Sequence, residues 1–259
     1  MVTRPWWWGL ALAATLGVLL GCGGPEASRA SEGPSRESEP ELLIFVYDRS
    51  SSVLSHELEH AARLTRDRLG RLGHEDRIVA IELLRLSLDE EPRLWSQQVP
   101  AREFTDRHVP RDSVTLARFV QDARDYIVRF SDPDGRDDID GTDILSTLHL
   151  VGAELQAYPD RPATLVLFSD MLQANREVNM EGLVRMPSEG WIERRQDVGR
   201  LPDLSGLCVF VAGARGDTLS ARIVKDFWLE YFAATGAHLE DRNYAYRPVQ
   251  IPGRPCRGT

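Results

Sequence analysis

The sequence LLIFVYDRSSS at residues 42–52 joins six consecutive apolar residues to a polar segment. The apolar part contains isoleucine, phenylalanine and valine, which are enriched in strands. A run this short and unbroken is typical of a strand buried on both faces of a parallel sheet. We therefore predict a central strand that ends at Asp48, followed by a turn that leads into a helix.

Similar apolar runs recur along the chain and predict the rest of the sheet. They lie at residues 78–84, where Glu82 is the exception, at 165–168 before Ser169 and Asp170, and at 207–212 before Gly213. Residues 93–99 follow a polar turn and are predicted to form an antiparallel edge strand.

Helical periodicity fills the intervals between these strands. The predicted helices cover residues 54–72 with Gly73 as the C-terminal cap, 116–130 after the caps Asp112 and Ser113, 144–158, and 218–235 before Gly236. Alternating strands and helices indicate one α/β domain over residues 41–259. We expect a doubly wound, mostly parallel open sheet with helices on both faces and one antiparallel edge strand.

Residues 1–22 have the pattern of an export signal. Arg4 precedes an uncharged stretch, residues 6–20, and the segment ends in Leu-Leu-Gly-Cys at Cys22. The stretch has the length of a secretory signal and is shorter than the roughly 20 residues of a membrane span. Its ending resembles the bacterial lipobox, whose cysteine is diacylated and becomes the new N-terminus, and Gly23 in place of aspartate indicates the outer membrane. We expect a lipoprotein of the bacterial cell envelope, anchored to the membrane through lipid on Cys22.

The composition separates a tether from the domain and argues against one class of partner. Residues 23–40 contain no large apolar residue and are rich in proline, glycine and serine, so we predict a flexible tether.

The chain carries 40 acidic and 31 basic residues, a net charge of −9. Without a run of basic residues it offers no phosphate-neutralising patch, so we expect no nucleic-acid partner.

Polar oxygens follow two of the predicted strands at their carboxyl ends. Asp48, Ser50 and Ser52 follow the first strand, Asp170 follows a later one, and Thr142 stands just before a helix. Open α/β sheets bind ligands at this edge, where the strand order reverses. Hydroxyl and carboxylate oxygens suit small hard dications, so these five residues predict a Mg²⁺ site, with Mn²⁺ or Ca²⁺ as alternatives.

This arrangement resembles the metal-ion-dependent adhesion site of von Willebrand factor type A domains. The resemblance extends from residue 41 to about residue 249 and rests on the pattern D-x-S-x-S at residues 48–52, the threonine and the later aspartate. It implies that both serines and the threonine bind metal directly and that the aspartates act mainly through water. Ser51 and Met171 stand where the family often has glycine.

The resemblance also implies a function, a binding protein rather than an enzyme. In the family, a carboxylate from a protein ligand completes the metal shell. The alternative is a metal-dependent hydrolase or phosphatase that acts on a small anionic substrate at the same site. The sequence contains neither a G-x-S-x-G nucleophile elbow nor a G-x-x-x-x-G-K-[ST] phosphate loop, and we predict no catalytic residue.

Three further features of the sequence predict no function. The acidic segment at residues 132–143 lacks the glycine and glutamate of an EF-hand and is predicted to be a solvated loop. His56 and His60 are predicted to lie on a solvated helix face. Cys208 and Cys256 are expected to stay unbonded, because a last strand parallel to that of Cys208 would place the thiols at opposite ends of the sheet.

The lipobox yields a prediction about localisation. Replacing Cys22 with alanine removes the thiol that would carry the lipid, so the Cys22→Ala protein should leave the membrane fraction as a soluble or uncleaved form. Fractionation followed by immunoblotting measures this. A Cys22→Ala protein that fractionates like the wild type would contradict the lipobox assignment.

Overall fold

The computed structural model describes residues 39–83, 93–102, 109–131, 141–252 and 256. The predicted signal with Cys22, nearly all of the tether and most of the acidic segment 132–143 lie outside these residues, so those assignments stay predictions. No helix within the described ranges is long and apolar enough to cross a membrane.

The described residues contain six strands in one sheet. They are β1 (Leu42–Asp48), β2 (Arg77–Leu83), β3 (Leu94–Gln98), β4 (Ala163–Phe168), β5 (Leu207–Ala212) and β6 (Tyr244–Ala245), and their order is β3-β2-β1-β4-β5-β6. All neighbours are parallel except β2 and β3. The predicted sheet is therefore confirmed, with β3 as its antiparallel edge. The order reverses between β1 and β4, so their carboxyl ends border the crevice where such sheets bind ligands.

Five α-helices cover the described part of the sheet. They are α1 (Ser55–Leu69), α2 (Val109–Ile127), α3 (Ile144–Ala157), α4 (Trp191–Asp197) and α5 (Leu219–Ala234). The bounds of α3 and α5 match the prediction within one residue. The short α4 was not predicted, because it buries only Ile192 and so shows no apolar period.

The strand β1 separates two apolar layers because its side chains alternate between the faces of the sheet. Leu42, Ile44 and Val46 belong to the layer that includes residues of α3, α4 and α5. Leu43, Phe45 and Tyr47 belong to the layer that includes residues of α1 and α2. Every residue of β1 is buried, as its unbroken apolar run predicts. Helices therefore lie on both faces, and both layers end at the same carboxyl edge.

Three helix ends differ from the prediction. The helix α2 ends at Ile127 and is followed by a 3₁₀ helix, Val128–Ser131. The helix α2 begins at Val109, so Asp112 and Ser113 lie inside it and do not cap it. Pro110 falls in the first turn, where a missing N–H removes no helical hydrogen bond. The helix α1 ends at Leu69, well before Gly73.

Gly70 is the C-cap of α1, and a buried aspartate fixes the turn that follows. Asp76 Oδ1 accepts a hydrogen bond from the Glu41 backbone N–H at 2.9 Å, and Oδ2 accepts one from the Gly73 N–H at 2.6 Å. These bonds fix the turn between α1 and β2. The prediction placed the cap at Gly73, whereas the structure places it at Gly70.

The C-terminal tail, described at residues 246–252 and at Cys256, returns along α1. Its contacts are Tyr246 Oη at 3.3 Å from His56 Nε2, the Pro248 carbonyl at 3.0 Å from His60 Nε2, and the Ile251 carbonyl, which accepts from Arg71 Nη2 at 2.7 Å. The tail therefore runs from the first turn of α1 to beyond its last turn. His56 is exposed, as predicted, whereas His60 is half-buried beneath the tail, so the predicted solvated face holds only in part.

This path brings Cys256 to Cys208, and the two form a disulfide with their Cα atoms 5.3 Å apart. The prediction of free thiols was wrong. Its premise of a parallel last strand holds, but β6 has only two residues and the chain then reverses. The tail can extend about 36 Å, whereas the length of β5 back to Cys208 is about 13 Å.

The disulfide yields a stability prediction. It closes a loop with a sequence separation of 48 residues, so its loss should lower the free energy of unfolding by about 2–4 kcal/mol. Cys256→Ser is the variant of choice, because Cys208 is fully buried and a serine there would bury an extra hydroxyl. Urea denaturation with and without dithiothreitol measures the effect.

The same experiment contains its control. Dithiothreitol should weaken the wild type and leave Cys256→Ser unchanged, and the intact mass of the wild type should rise by two hydrogens on reduction. Equal stability of oxidised and reduced wild type would contradict a stabilising disulfide.

Candidate metal centre

The carboxylate of Asp48 lies at the end of β1 and is fully buried. Its Oδ1 accepts a hydrogen bond from the Ser50 backbone N–H at 2.9 Å, and its Oδ2 accepts one from Ser169 Oγ at 2.6 Å. The first bond is the Asx-turn contact that an aspartate makes two residues on. The second joins the ends of β1 and β4 across the crevice. Asp48 therefore determines the shape of the turn that carries both serines.

The hydroxyls of Ser50 and Ser52 lie side by side, with their Oγ atoms 3.0 Å apart. Adjacent ligands of an octahedral Mg²⁺, each at about 2.1 Å, are separated by about 3.0 Å as well. Ser50 is buried, Ser52 is half-buried and Ser51 between them is exposed. The turn thus presents two hydroxyls near solvent at a spacing that suits one small cation.

Asp170 follows β4 and is 8% exposed. Burial, together with the neighbouring negative charges of Asp48 and Glu57, raises the pKa of Asp170 to about 6. Hydrogen bonds from the Leu172 backbone and from Ser52 oppose this rise. The carboxylates of Asp48 and Asp170 therefore repel one another across the crevice, and a cation between them would relieve that repulsion.

Thr142 is tied to the loop after Asp170 through its backbone. Its N–H donates to the Ala174 carbonyl at 3.2 Å, and its carbonyl accepts from the Ala174 N–H at 2.7 Å. The side chain is buried, and Oγ1 has no hydrogen-bond partner among the described residues. Buried hydroxyls are nearly always paired, so this atom is suited to an additional ligand such as a cation.

The buried side chain of Gln173 joins the segments that carry Thr142 and Asp170. Its Oε1 accepts from the Leu145 backbone N–H at 3.1 Å, and its Nε2 donates to Asp143 Oδ1 at 3.0 Å. Asp143 is the N-cap of α3, so Gln173 fixes the start of that helix against the loop after β4. Nothing in the sequence distinguishes Gln173 from an ordinary loop residue.

Met171 adopts a left-handed backbone conformation, with φ of 65°. This conformation disfavours a side chain, which agrees with the glycine that the resembled family often has at this position. Two contacts hold it in place: Trp228 Nε1 donates to the Met171 carbonyl at 2.9 Å, and Ser169 Oγ accepts from the Met171 N–H at 2.9 Å. Trp228 is fully buried in α5.

Sequence reasoning missed several residues that shape the site, namely Glu57, Ser169, Gln173 and Trp228. Ser169 could have been found, because it directly precedes Asp170 at a strand end. Glu57 has a sequence signal of a different kind: it is the N3 acid of α1, where it accepts from the Leu54 N–H at 2.6 Å. An acid at N3 is common at helix starts. The position of Glu57 therefore predicts a helix cap and does not show that its carboxylate lies near Asp170.

The described residues contain no group of three histidine, cysteine, aspartate or glutamate side chains that could hold a metal. The predicted centre differs in kind, because three of its five side chains are hydroxyls. The structure links Asp48, Ser50, Ser52 and Asp170 side by side and ties Thr142 to the adjoining loop. The spacing of the serines, the unpaired threonine hydroxyl and the repelling carboxylates fit a hard dication.

Comparisons with known proteins find likenesses only among solved structures, since no family model and no curated protein matches the chain. The pilus adhesin SpaC from Lactobacillus rhamnosus GG aligns at 13% identity and a TM-score of 0.46 over 74% of this chain and 26% of its own. A von Willebrand factor type A structure from Catenulispora acidiphila aligns at 9% identity and a TM-score of 0.40 over 76% of this chain and 43% of its own.

A third structure is proximal thread matrix protein 1 from the mussel byssus with a zinc-occupied MIDAS motif. It aligns at 11% identity and a TM-score of 0.34 over 67% of this chain and 38% of its own. The chain thus spans less than half the length of each of these three proteins. Likenesses this distant say nothing about function, and the fold assignment rests on the strand order and register of the sheet itself.

Repulsion at the centre yields a stability prediction. Asp170→Asn keeps the side-chain oxygen that accepts from Leu172 and removes the charge. In EDTA at pH 7.5, above the raised pKa of Asp170, the variant should be about 1 kcal/mol more stable than the wild type. Below about pH 4 the wild-type carboxyl is protonated and the difference should vanish. Urea denaturation at both pH values measures this.

Asp160→Asn is the matched control, because Asp160 is exposed. It should leave stability within about 0.5 kcal/mol of the wild type at both pH values. If Asp170→Asn were destabilising in EDTA at pH 7.5, the carboxylate would be a structural hydrogen-bond acceptor, and repulsion would not dominate its energy.

Proposed function

We propose that this chain is a lipid-anchored protein of the bacterial envelope that binds a protein partner through a divalent cation. The residues that would hold the cation are Ser50, Ser52 and Thr142, with Asp48 and Asp170 supplying negative charge around it. When bound, the cation supplies a Lewis-acidic position for an anionic oxygen, and the partner offers that oxygen as a carboxylate.

One observation carries the proposal: the two serine hydroxyls lie 3.0 Å apart on a turn fixed by the buried carboxylate of Asp48. The turn thus holds two neutral oxygen ligands in place at the switch point of the sheet. With neutral hydroxyls in direct contact and the aspartates acting mainly through water, a dication would keep part of its positive charge. That residual charge favours an anionic ligand from outside the chain.

Export is supported independently of the N-terminal sequence. The disulfide between Cys208 and Cys256 belongs to the described part of the chain. Disulfides form and persist outside the reducing cytosol. A protein that acquires this bond during export would meet partners at the envelope, as the lipid anchor on Cys22 requires.

The test compares two buried threonines. The Oγ1 atoms of Thr142 and Thr164 both lack a hydrogen-bond partner among the described residues, but Thr164 lies near the amino end of β4, away from the centre. Thr142→Val and Thr164→Val each replace such a hydroxyl with a methyl group of similar shape. Neither change should destabilise the protein in EDTA.

Only Thr142→Val should lose the cation. Titration calorimetry of the full-length protein in detergent should show one Mg²⁺ or Mn²⁺ site in the wild type and in Thr164→Val, and binding at least about tenfold weaker in Thr142→Val. Retention of envelope proteins on the immobilised protein should follow the same order and should disappear in EDTA. Equal cation affinity in all three proteins would contradict the proposal.

An assay of phosphoester hydrolysis distinguishes the proposed binding protein from the alternative, a metal-dependent phosphatase. A metal-dependent phosphatase should cleave p-nitrophenyl phosphate when Mg²⁺ is added, and Thr142→Val should abolish that activity. The proposed binding protein should leave the ester intact at every Mg²⁺ concentration.

A further inference from the structure

A second polar cleft opens beside the carboxyl end of β1. It has a volume of about 390 Å³, and its lining includes Arg49, Glu82, Arg93, Tyr126, Arg129 and Phe130. These residues come from the turn after β1, from β2, from the residue before β3, from α2 and from the segment that follows α2. The cleft therefore lies on the face of the sheet that α2 covers.

The charge of the cleft is opposite to that of the whole chain. Among the described residues that line it, three guanidinium groups stand against one carboxylate, in a protein of net charge −9. Among the described residues, no carboxylate pairs with Arg129, whose guanidinium lies 5.7 Å from the ring centre of Tyr126. A site of this sign attracts anions, and guanidinium groups bind carboxylates through paired hydrogen bonds.

A buried ion pair between Arg49 and Glu82 forms the base of the cleft. Arg49 Nη1 lies 3.1 Å from Glu82 Oε1, and both side chains are almost completely buried. Glu82 is the one charged residue that interrupts the apolar run of β2, and this ion pair explains why it is there. Arg93 Nη1 approaches the other oxygen of Glu82 at 3.4 Å while its side chain stays 61% exposed. One carboxylate is thus shared by two arginines and compensates only one of them.

An aromatic wall forms one side of the cleft. The ring of Tyr126 stacks on that of Trp95, with ring centres 5.4 Å apart, and Tyr126 is 41% exposed. An exposed aromatic face beside guanidinium groups suits the apolar stem of a bound side chain next to its charged end. The cleft therefore combines a fixed ionic base, two accessible arginines and an apolar surface.

The cleft adjoins the candidate metal centre through consecutive residues. Asp48 belongs to the centre and Arg49 to the cleft, and neighbouring Cα atoms lie about 3.8 Å apart. A short acidic segment of a partner could therefore reach both.

We propose that this arginine cleft is an anion-binding subsite that takes an acidic side chain of the protein partner. The partner is then an acidic peptide segment with at least two carboxylates, one for the metal centre and one for the cleft. The two-site form of this inference rests on the proposed function, whereas the cleft itself binds carboxylate without metal.

Arg93→Gln/Arg129→Gln is the variant that tests the cleft. Both side chains are exposed, and Glu82 keeps its partner Arg49 when they are shortened. Arg49 itself is left intact, because its loss would strand a buried carboxylate. Arg200→Gln/Arg222→Gln removes the same charge from two exposed arginines elsewhere and serves as the matched control.

The probe is fluorescein-labelled hexaglutamate, and the readout is fluorescence polarisation with the full-length protein in detergent, in Mg²⁺ and in EDTA. In both buffers the Arg93→Gln/Arg129→Gln protein should bind the probe about tenfold more weakly than the wild type and the control. In the wild type, Mg²⁺ should tighten binding further. Thr142→Val should remove that Mg²⁺ effect and keep the binding seen in EDTA.

The outcomes separate the two proposals. If Mg²⁺ has no effect but the arginine variant still weakens binding, the metal-dependent function fails and the cleft stands. If the arginine variant binds like the wild type, the cleft assignment is overturned. It is also overturned if the wild type binds no hexaglutamate in either buffer. Displacement of the probe by an equal concentration of inorganic phosphate would assign the cleft to small anions and contradict a peptide ligand.

Discussion

The candidate centre depends on one constraint, the burial of the Asp48 carboxylate at the carboxyl end of β1. A buried anion needs compensation, and Asp48 receives it from the Ser50 backbone and from the Ser169 hydroxyl. The first bond shapes the turn that carries the serine hydroxyls, and the second fixes β1 to β4 across the switch point. The nearby negative charge of Asp170 acts against this arrangement, so Asp48 is hydrogen-bonded and still repels a neighbouring carboxylate. Such a balance is expected of residues arranged for a cation.

The surrounding structure holds this edge in place from several directions. Gln173 connects the start of α3 to the loop after β4, and Trp228 connects the same loop to α5. Both are buried, and both bond to groups that ordinary loops would expose to water. A loop fixed in this way loses little entropy on binding a ligand, which favours affinity. The disulfide and the C-terminal tail add a constraint at α1, the helix that begins directly after the serine turn.

The sequence predicted the sheet well because burial on both faces leaves a plain signature. Apolar runs, interrupted only by Glu82 in β2, located β1, β2, β4 and β5, and the polar turn before residue 93 located the antiparallel edge. Contacts between distant parts of the chain left no such signature. The turn after α1 depends on Asp76, and the disulfide depends on the path of the tail after the two-residue β6. Two glycines, Gly70 and Gly73, follow α1, and periodicity alone did not show which of them ends the helix.

The candidate site was predicted as five residues, and their role in metal binding stays a prediction. What the sequence could not show is how they are held, because Ser169, Gln173 and Trp228 act through single long-range hydrogen bonds. The arginine cleft was missed for a related reason. Its charges come from four separate segments, and Glu82 looked like an interruption of a strand until Arg49 was seen beside it.

The central claim is that the hydroxyls of Ser50, Ser52 and Thr142 surround one cation. Crystals of the protein grown with Mn²⁺ test it most directly, because Mn²⁺ scatters anomalously and its position can be measured. One strong anomalous peak is expected at this edge of the sheet, about 2.1–2.3 Å from each of the three oxygens. A map without a peak there, or with Mn²⁺ bound only elsewhere, would contradict it.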